Sequence, residues 1–205
     1  MSRGPRLGRS SSLGGWAVVA LGVSVWLTPL SAQAFCRAKA CDPKQMTCTR
    51  DAQGCVQQGP ALFWPSNCIT LSVQQDGSPA QGISYDAALE VLSDAIATWS
   101  RVECEGGGSP SIRAELSEAV ECAASESNPD GMNANILVFR DESWPYVGAV
   151  DAYGYTRLRF GTETGQLLDA DIEINAEMDP FSVGDPVTDV DLASVVTHEV
   201  GHLLG

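Results

Sequence analysis

The sequence predicts an α+β fold in which short strands pack with two long helices. Some segments alternate apolar and polar residues, as strands do, whereas two longer ones repeat their apolar residues at helical spacing. Both kinds of segment are interspersed from residue 69 onward, so we expect one domain over residues 69–205. A cysteine-rich segment over residues 35–68 precedes it, with turns but no sustained helical or strand period.

Alternation of apolar and polar residues predicts two of the strands. Their apolar residues are Ile69, Leu71 and Val73 in the first, and Ala170, Ile172 and Ile174 in the second. Further strands are expected at residues 111–116 and 136–139. Residues 148–160 mix Gly, Tyr and Leu in a way that suits strands or a hairpin near an open sheet edge.

The first helix is expected to begin at Asp86, whose side chain can cap it. Its apolar face consists of Ala88, Val91, Leu92, Ala95, Ile96 and Trp99. The second helix is expected to begin near Thr188 or Asp189, after a loop over residues 179–189. Asp191 then lies in its first turn, where the helix dipole favours an acidic side chain.

The N-terminus has the pattern of an export signal over residues 1–34. Three arginines precede an apolar stretch over residues 13–30, and Ala32-Gln33-Ala34 gives the small-x-small pattern of a cleavage site. A membrane anchor is the alternative, but the stretch is short for a span of about 20 residues. We therefore expect a secreted protein, extracellular or periplasmic, that is not membrane-bound after cleavage.

All seven cysteines lie after this signal, where an oxidising compartment favours disulfides. They are Cys36, Cys41, Cys48, Cys55, Cys68, Cys104 and Cys122. Seven is odd, so one is free, pairs between chains or pairs with a cysteine after Gly205. Their spacing leaves the pairing open, although Cys104 and Cys122 bracket a predicted strand and could be joined.

The formal net charge of −14 disfavours nucleic acid and anionic membrane surfaces as partners. Solubility explains this acidity, and bound calcium is the alternative. Asp169, Asp171 and Glu173 could supply oxygen ligands to calcium, but their alternation equally fits the solvated face of a strand.

The two histidines of the chain lie four residues apart on the second helix, as His198-Glu199-x-x-His202. Residues four apart share a helix face, so both imidazoles can reach one Zn²⁺. Glu199 lies beside them and can act as general base toward a water that the metal activates. This pattern predicts a zinc peptidase, with His198 and His202 as metal ligands and Glu199 as the catalytic residue.

Residues 194–205, with the sequence SVVTHEVGHLLG, resemble the active-site helix of matrixin-like metallopeptidases of the metzincin clan. Residues 165–175 resemble the strand that leads to this helix in secreted bacterial members, and the Trp99 helix resembles their first long helix. The resemblance covers residues 69–205 and is most specific at the terminal motif. The cysteine-rich segment does not match the animal enzymes, and their propeptide cysteine motif is absent.

The resemblance implies a twisted, mostly parallel sheet of five strands beside two long helices. It also implies one catalytic zinc and a protein or peptide substrate extended along the edge strand. It implies a third ligand, a histidine three residues after Gly205, followed by a methionine turn. We therefore expect the chain to be incomplete at its C-terminus and, as given, weakly active or inactive. Structural calcium is common in the relatives.

Two alternatives remain beside a secreted zinc endopeptidase. A non-catalytic exported binding or surface protein on a lapsed peptidase scaffold would explain the cysteine-rich segment. A distant third ligand, as the glutamate of thermolysin-like enzymes, would keep the zinc chemistry, although Gly205 favours the metzincin arrangement.

Overall fold

The computed structural model describes residues 36–104, 107–121, 125, 127–128 and 133–205. The predicted signal peptide and Cys122 lie outside these residues. The elements are β1 (Cys68–Val73), α1 (Tyr85–Ser100), β2 (Arg113–Leu116), β3 (Asn135–Arg140), β4 (Gly154–Phe160), β5 (Leu167–Asn175), β6 (Phe181–Ser182), β7 (Val190–Asp191) and α2 (Leu192–Leu204).

The main sheet has five strands in the order β2-β1-β3-β5-β4. Strands β1, β2, β3 and β5 are parallel, whereas β4 pairs antiparallel with β5. The prediction of an α+β fold with a mostly parallel sheet and two helices is confirmed. The predicted open-edge strand is also confirmed, because β4 and β5 form a hairpin that leaves β4 at the edge.

Both helices pack on one face of this sheet. Alternate residues of β1 and β5, such as Leu71 and Ile172, meet Leu92 of α1 and Val196 of α2 in one buried core. Each of these side chains is at most 1% exposed. Since successive strand residues point to opposite faces, the other face of β5 carries Asp169, Asp171 and Glu173.

Helix α1 begins at Tyr85, and its N-cap is Ser84, two residues before the predicted cap Asp86. Ser84 has an extended backbone, and its hydroxyl accepts a hydrogen bond from the Ala87 amide at 3.2 Å. Asp86 instead lies in the first turn, where a carboxylate also interacts favourably with the helix dipole.

Helix α2 begins later than predicted, at Leu192. Asp191 is its N-cap, and its carboxylate accepts a hydrogen bond from the Ser194 amide at 3.1 Å. The expected loop also contains β6, which pairs with β7. The Ser182 hydroxyl organises this turn, because it accepts hydrogen bonds from the Thr188 and Asp189 amides.

The cysteine-rich segment contains the disulfides Cys36–Cys55 and Cys41–Cys48. Within the described residues, Cys68 and Cys104 carry free, exposed thiols. The end of the segment joins the sheet, because the Phe63 amide donates to Gly165 O and the Leu167 amide donates to Phe63 O. The disulfides indicate that the protein folds in an oxidising, non-cytoplasmic compartment.

No helix in the described part of the chain is long and apolar enough to cross a membrane.

Candidate functional site

Helix α2 presents its histidines and its glutamate differently. His198 and His202 are exposed, whereas Glu199 is only 6% exposed. The difference follows from helical spacing. Glu199 shares a helix face with Val196 and Leu203, and this face is the buried one. The predicted catalytic carboxylate is thus held by the fold, and the two imidazoles face the outside.

The two imidazole rings turn their Nε2 atoms toward one another. These atoms are 3.1 Å apart, and the rings cross at 83° with centroids 4.8 Å apart. Two nitrogen ligands of a tetrahedral zinc ion at about 2.0–2.1 Å stand roughly 3.3 Å apart. The arrangement of His198 and His202 therefore fits a shared zinc ion with little movement of either ring.

Two residues of strand β4, Gly154 and Thr156, lie against the Glu199 side chain. The Thr156 hydroxyl lies 2.6 Å from Glu199 Oε2 and 3.0 Å from the Glu199 carbonyl oxygen. At Gly154, an added Cβ would lie 2.8 Å from Glu199 Cγ and 2.9 Å from Oε1. One residue of the strand thus holds the carboxylate, and the other leaves room for it.

The same residues line an open cleft between α2 and the edge strand. Gly154, Thr156 and Leu158 form its β4 side, and His198, Glu199 and His202 form its α2 side. The Asn175 amide donates to Tyr153 O at 2.9 Å, which makes these two residues a hydrogen-bonded antiparallel pair. By the alternation of such pairs, the backbone groups of Gly154, Thr156 and Leu158 point away from β5, toward the open edge.

Two tryptophans hold α2 through its backbone carbonyls. The Trp99 indole of α1 donates to Thr197 O at 2.7 Å, and Trp64 donates to Leu203 O at 2.7 Å. Gly201 permits the close approach of α1, since a Cβ there would lie 2.6 Å from Trp99 Cζ2. The Trp64 bond satisfies a carbonyl in the last turn, where no helical amide is left to pair with it.

Gly205 ends the helix with φ of +98°. Its amide donates to His202 O, and a Cβ on it would lie 3.2 Å from Leu62 O. Glycine adopts this left-handed conformation without the steric cost that other residues pay, and it commonly ends a helix.

The opposite face of β4 and β5 carries a charged network. Asp169, Asp171 and Glu173 are 3%, 1% and 0% exposed, so of the two interpretations of their alternation, that of a solvated strand face is wrong. The reason is tertiary, since side chains remote in sequence cover these carboxylates. Arg140, Tyr146 and Ser125 donate to Glu173, the last at 2.6 Å.

Two arginines of β4 belong to the same network. Arg157 donates to Ser125 Oγ at 3.0 Å, and Arg159 donates to Ser127 Oγ at 3.1 Å. Tyr155 also lies on this face, and its ring stacks on that of Tyr146 with centroids 4.1 Å apart. The two faces of β4 therefore differ, with the catalytic candidates on one side and this network on the other.

Burial and charge shift the titration of the three carboxyls in different directions. Burial, reinforced by the charge of Asp169, raises the pKa of Asp171 to about 7. Burial likewise raises the pKa of Asp169, although Arg157 and Arg159 oppose it. Burial also disfavours the charged form of Glu173, but the bonds from Arg140, Ser125 and Tyr146 outweigh it and lower its pKa.

The described residues contain no group of three or more His, Cys, Asp or Glu side chains placed to hold one metal ion. Calcium binding at Asp169, Asp171 and Glu173 stays a prediction, as does the third zinc ligand. Asp169 Oδ1 is the only buried side-chain oxygen or nitrogen in the described part of the chain without a hydrogen-bond partner. The charges of Arg157 and Arg159 partly compensate its burial, because both lower the pKa of Asp169.

The sequence pattern identified the helix residues of this site but missed Gly154 and Thr156. The sequence does contain a hint of Thr156. It is a polar residue on the same strand face as the apolar Leu158, two residues later. This pattern does not predict which element the Thr156 hydroxyl contacts. Only the packing of α2 against β4 brings the hydroxyl to Glu199.

Comparison with protein-family models, with curated proteins and with solved structures finds no match to this chain.

Proposed function

We propose that this protein is a secreted zinc-dependent endopeptidase. The observation that carries the proposal is the convergence of His198, Glu199 and His202 on one cleft that an edge strand borders. A pair of Nε2 atoms 3.1 Å apart fits a zinc ion, and a buried carboxylate beside them fits a general base. The resemblance of residues 194–205 to the metzincin active-site helix supports the same assignment.

In this proposal, His198 and His202 would be the zinc ligands and Glu199 would be the general base. A zinc ion bound there supplies Lewis acidity, which polarises a carbonyl and lowers the pKa of water. Glu199 accepts a proton from the water that attacks the scissile carbonyl. It then passes that proton to the amine that leaves, so that one carboxylate serves as base and acid in turn.

The substrate is proposed to bind as an extended chain along β4. The backbone groups of Gly154, Thr156 and Leu158 point to the open edge and line the cleft with the histidines. A peptide that pairs with them gains affinity from its backbone, which requires little sequence preference. This mode of binding suits unfolded proteins and flexible segments.

Glu199→Gln tests the assignment, because it keeps the shape of the side chain but removes its ability to accept a proton. In the natural secreted protein, we expect cleavage of an unfolded protein substrate to fall about 100-fold or more, with zinc still bound. The matched control is Glu163→Gln in an exposed turn, which should keep full activity. Undiminished cleavage by Glu199→Gln would refute the general-base role.

The alternative of a non-catalytic binding protein predicts a different result. The natural protein would then cleave no unfolded substrate, whether zinc is supplied or removed by a chelator. Activity that a chelator abolishes and added zinc restores would exclude this alternative.

A further inference from the structure

We propose that Thr156 of the edge strand is a positioning residue for the Glu199 carboxylate. This inference rests on the proposed function, in which Glu199 is the general base. It adds a residue outside the His-Glu-x-x-His motif to the machinery, and it assigns β4 a second task besides bordering the substrate cleft.

The geometry around the hydroxyl supports this role. Thr156 Oγ1 lies 2.6 Å from Glu199 Oε2 and 3.0 Å from the Glu199 carbonyl oxygen. A hydroxyl has one proton, and a charged carboxylate at the shorter distance is the stronger acceptor. The hydrogen bond therefore goes to Oε2 and fixes that oxygen relative to the helix backbone.

The character of the strand makes this contact stiff. Thr156 lies in β4 between neighbours that pair with Asp171 and Glu173 of β5, so its backbone is part of the sheet. The sheet thus fixes the Cα–Cβ direction at position 156, which brings a hydroxyl on Cβ within reach of Glu199, and the β-branch of threonine narrows its χ1 rotamers further. Gly154, two residues earlier on the same face, leaves space for Oε1.

This arrangement divides the two carboxylate oxygens by function. Oε2 is held by the Thr156 hydroxyl, and Oε1 remains as the oxygen that exchanges the proton. A carboxylate that is already held in the productive orientation does not lose conformational entropy when the reaction begins. The effect should appear in kcat rather than in KM, because Thr156 acts through Glu199 and not through the ground-state substrate.

The test compares Thr156→Val, which keeps the shape but removes the donor, with Thr156→Ser, which keeps the donor. In the natural secreted protein, we expect kcat to fall about 10–100-fold for Thr156→Val and to stay within about threefold for Thr156→Ser. KM and bound zinc should be unchanged in both. Thr70→Val, at an exposed position of β1, is the control and should retain full activity.

Crystal structures of both variants in the metal-free form supply a readout that does not depend on activity. The Glu199 side chain should leave its orientation in Thr156→Val and keep it in Thr156→Ser. A Val variant with unchanged kcat and an unmoved carboxylate, or a Ser variant as impaired as the Val variant, would overturn the proposal. If Glu199→Gln is fully active, the proposed function fails by itself, and the crystallographic comparison still decides whether Thr156 orients the carboxylate.

Discussion

Glu199 shows at the scale of a single residue how a reactive group is placed in a folded chain. It follows one exposed histidine and precedes another, yet it points into the protein, because its helical position belongs to the buried stripe of α2. A buried carboxylate needs hydrogen-bond partners, and Thr156 provides one. The site thus depends on residues that are 43 positions apart in the sequence.

At Gly154, we expect alanine to reduce activity without unfolding the protein. The new Cβ would lie 2.8 Å from Glu199 Cγ and 2.9 Å from Oε1, so the carboxylate must move. A displacement of about 1 Å at a reacting group can cost on the order of 100-fold in rate, and we expect kcat to fall about 10–100-fold. Steady-state kinetics of the purified variant measure this.

Gly148→Ala is the matched control, because no atom lies within 4 Å of the Cβ it would add. It should leave kcat and KM unchanged. A Gly154→Ala variant that is as active as Gly148→Ala would show that the carboxylate can move at no catalytic cost.

At the scale of elements, α2 is held between a helix and the end of the cysteine-rich segment. Trp99 of α1 donates to Thr197 O, and Trp64 donates to Leu203 O, so two indoles fix the helix near both ends of its His-Glu-x-x-His motif. Both contacts are non-local, with sequence separations of 98 and 139 residues. Helical periodicity predicts that α2 exists but contains no information on what holds it.

Gly201→Ala tests the contact between the helices. Alanine favours a helix by up to about 1 kcal/mol relative to glycine, but its Cβ would lie 2.6 Å from the rigid Trp99 ring. Overpacking costs roughly 1–3 kcal/mol and outweighs that gain against a rigid ring, so we expect a net loss of up to about 2 kcal/mol in the free energy of unfolding. Urea denaturation measures it, and an unchanged or higher midpoint would mean that Trp99 moves aside freely.

At the scale of the whole molecule, the sheet separates two chemically different faces. One face buries the apolar core under both helices, and the other buries the carboxyls of β5 with arginines and hydroxyls from β3, β4 and the connecting segments. Buried charge of this kind makes the stability of the fold depend on pH.

The raised pKa of Asp171, about 7, sets the direction of that dependence. An aspartate in the unfolded chain titrates near its ordinary value of about 3.9, so the folded state binds the proton more tightly. Its stabilising contribution is complete below pH of about 4 and is lost as pH rises toward 7. The free energy of unfolding should then fall by up to about 1.4 kcal/mol per pH unit in that window.

Asp171→Asn isolates this contribution, because it removes the titrating group. The quantity to compare is the free energy of unfolding of the variant minus that of the unaltered protein. This difference should be larger at pH 8 than at pH 5, and urea denaturation of both proteins at both pH values measures it. The charges facing Asp171, which are Asp169, Glu173 and Arg157, remain in both proteins, so the difference reports the Asp171 carboxyl together with its coupling to these groups. An equal difference at pH 5 and pH 8 would contradict the raised pKa.

The sequence by itself determined the strand and helix pattern and the presence of disulfides. It also determined that His198 and His202 share a helix face, because that relation depends only on helical spacing of four residues. These features are local: alternation, periodicity and cysteine content can be read within a window of a few residues.

Only the tertiary structure decided where Glu199, Asp169 and Asp171 lie and which groups meet them. Alternation along β5 is the same whether the polar face meets water or other side chains, so the sequence alone could not exclude a solvated face. The covering groups come from strands and segments far along the chain, as does Thr156 at Glu199. Helical spacing brings the imidazoles of His198 and His202 together. Only the fold buries the carboxylate of Glu199 and supplies the Thr156 hydroxyl as its hydrogen-bond partner.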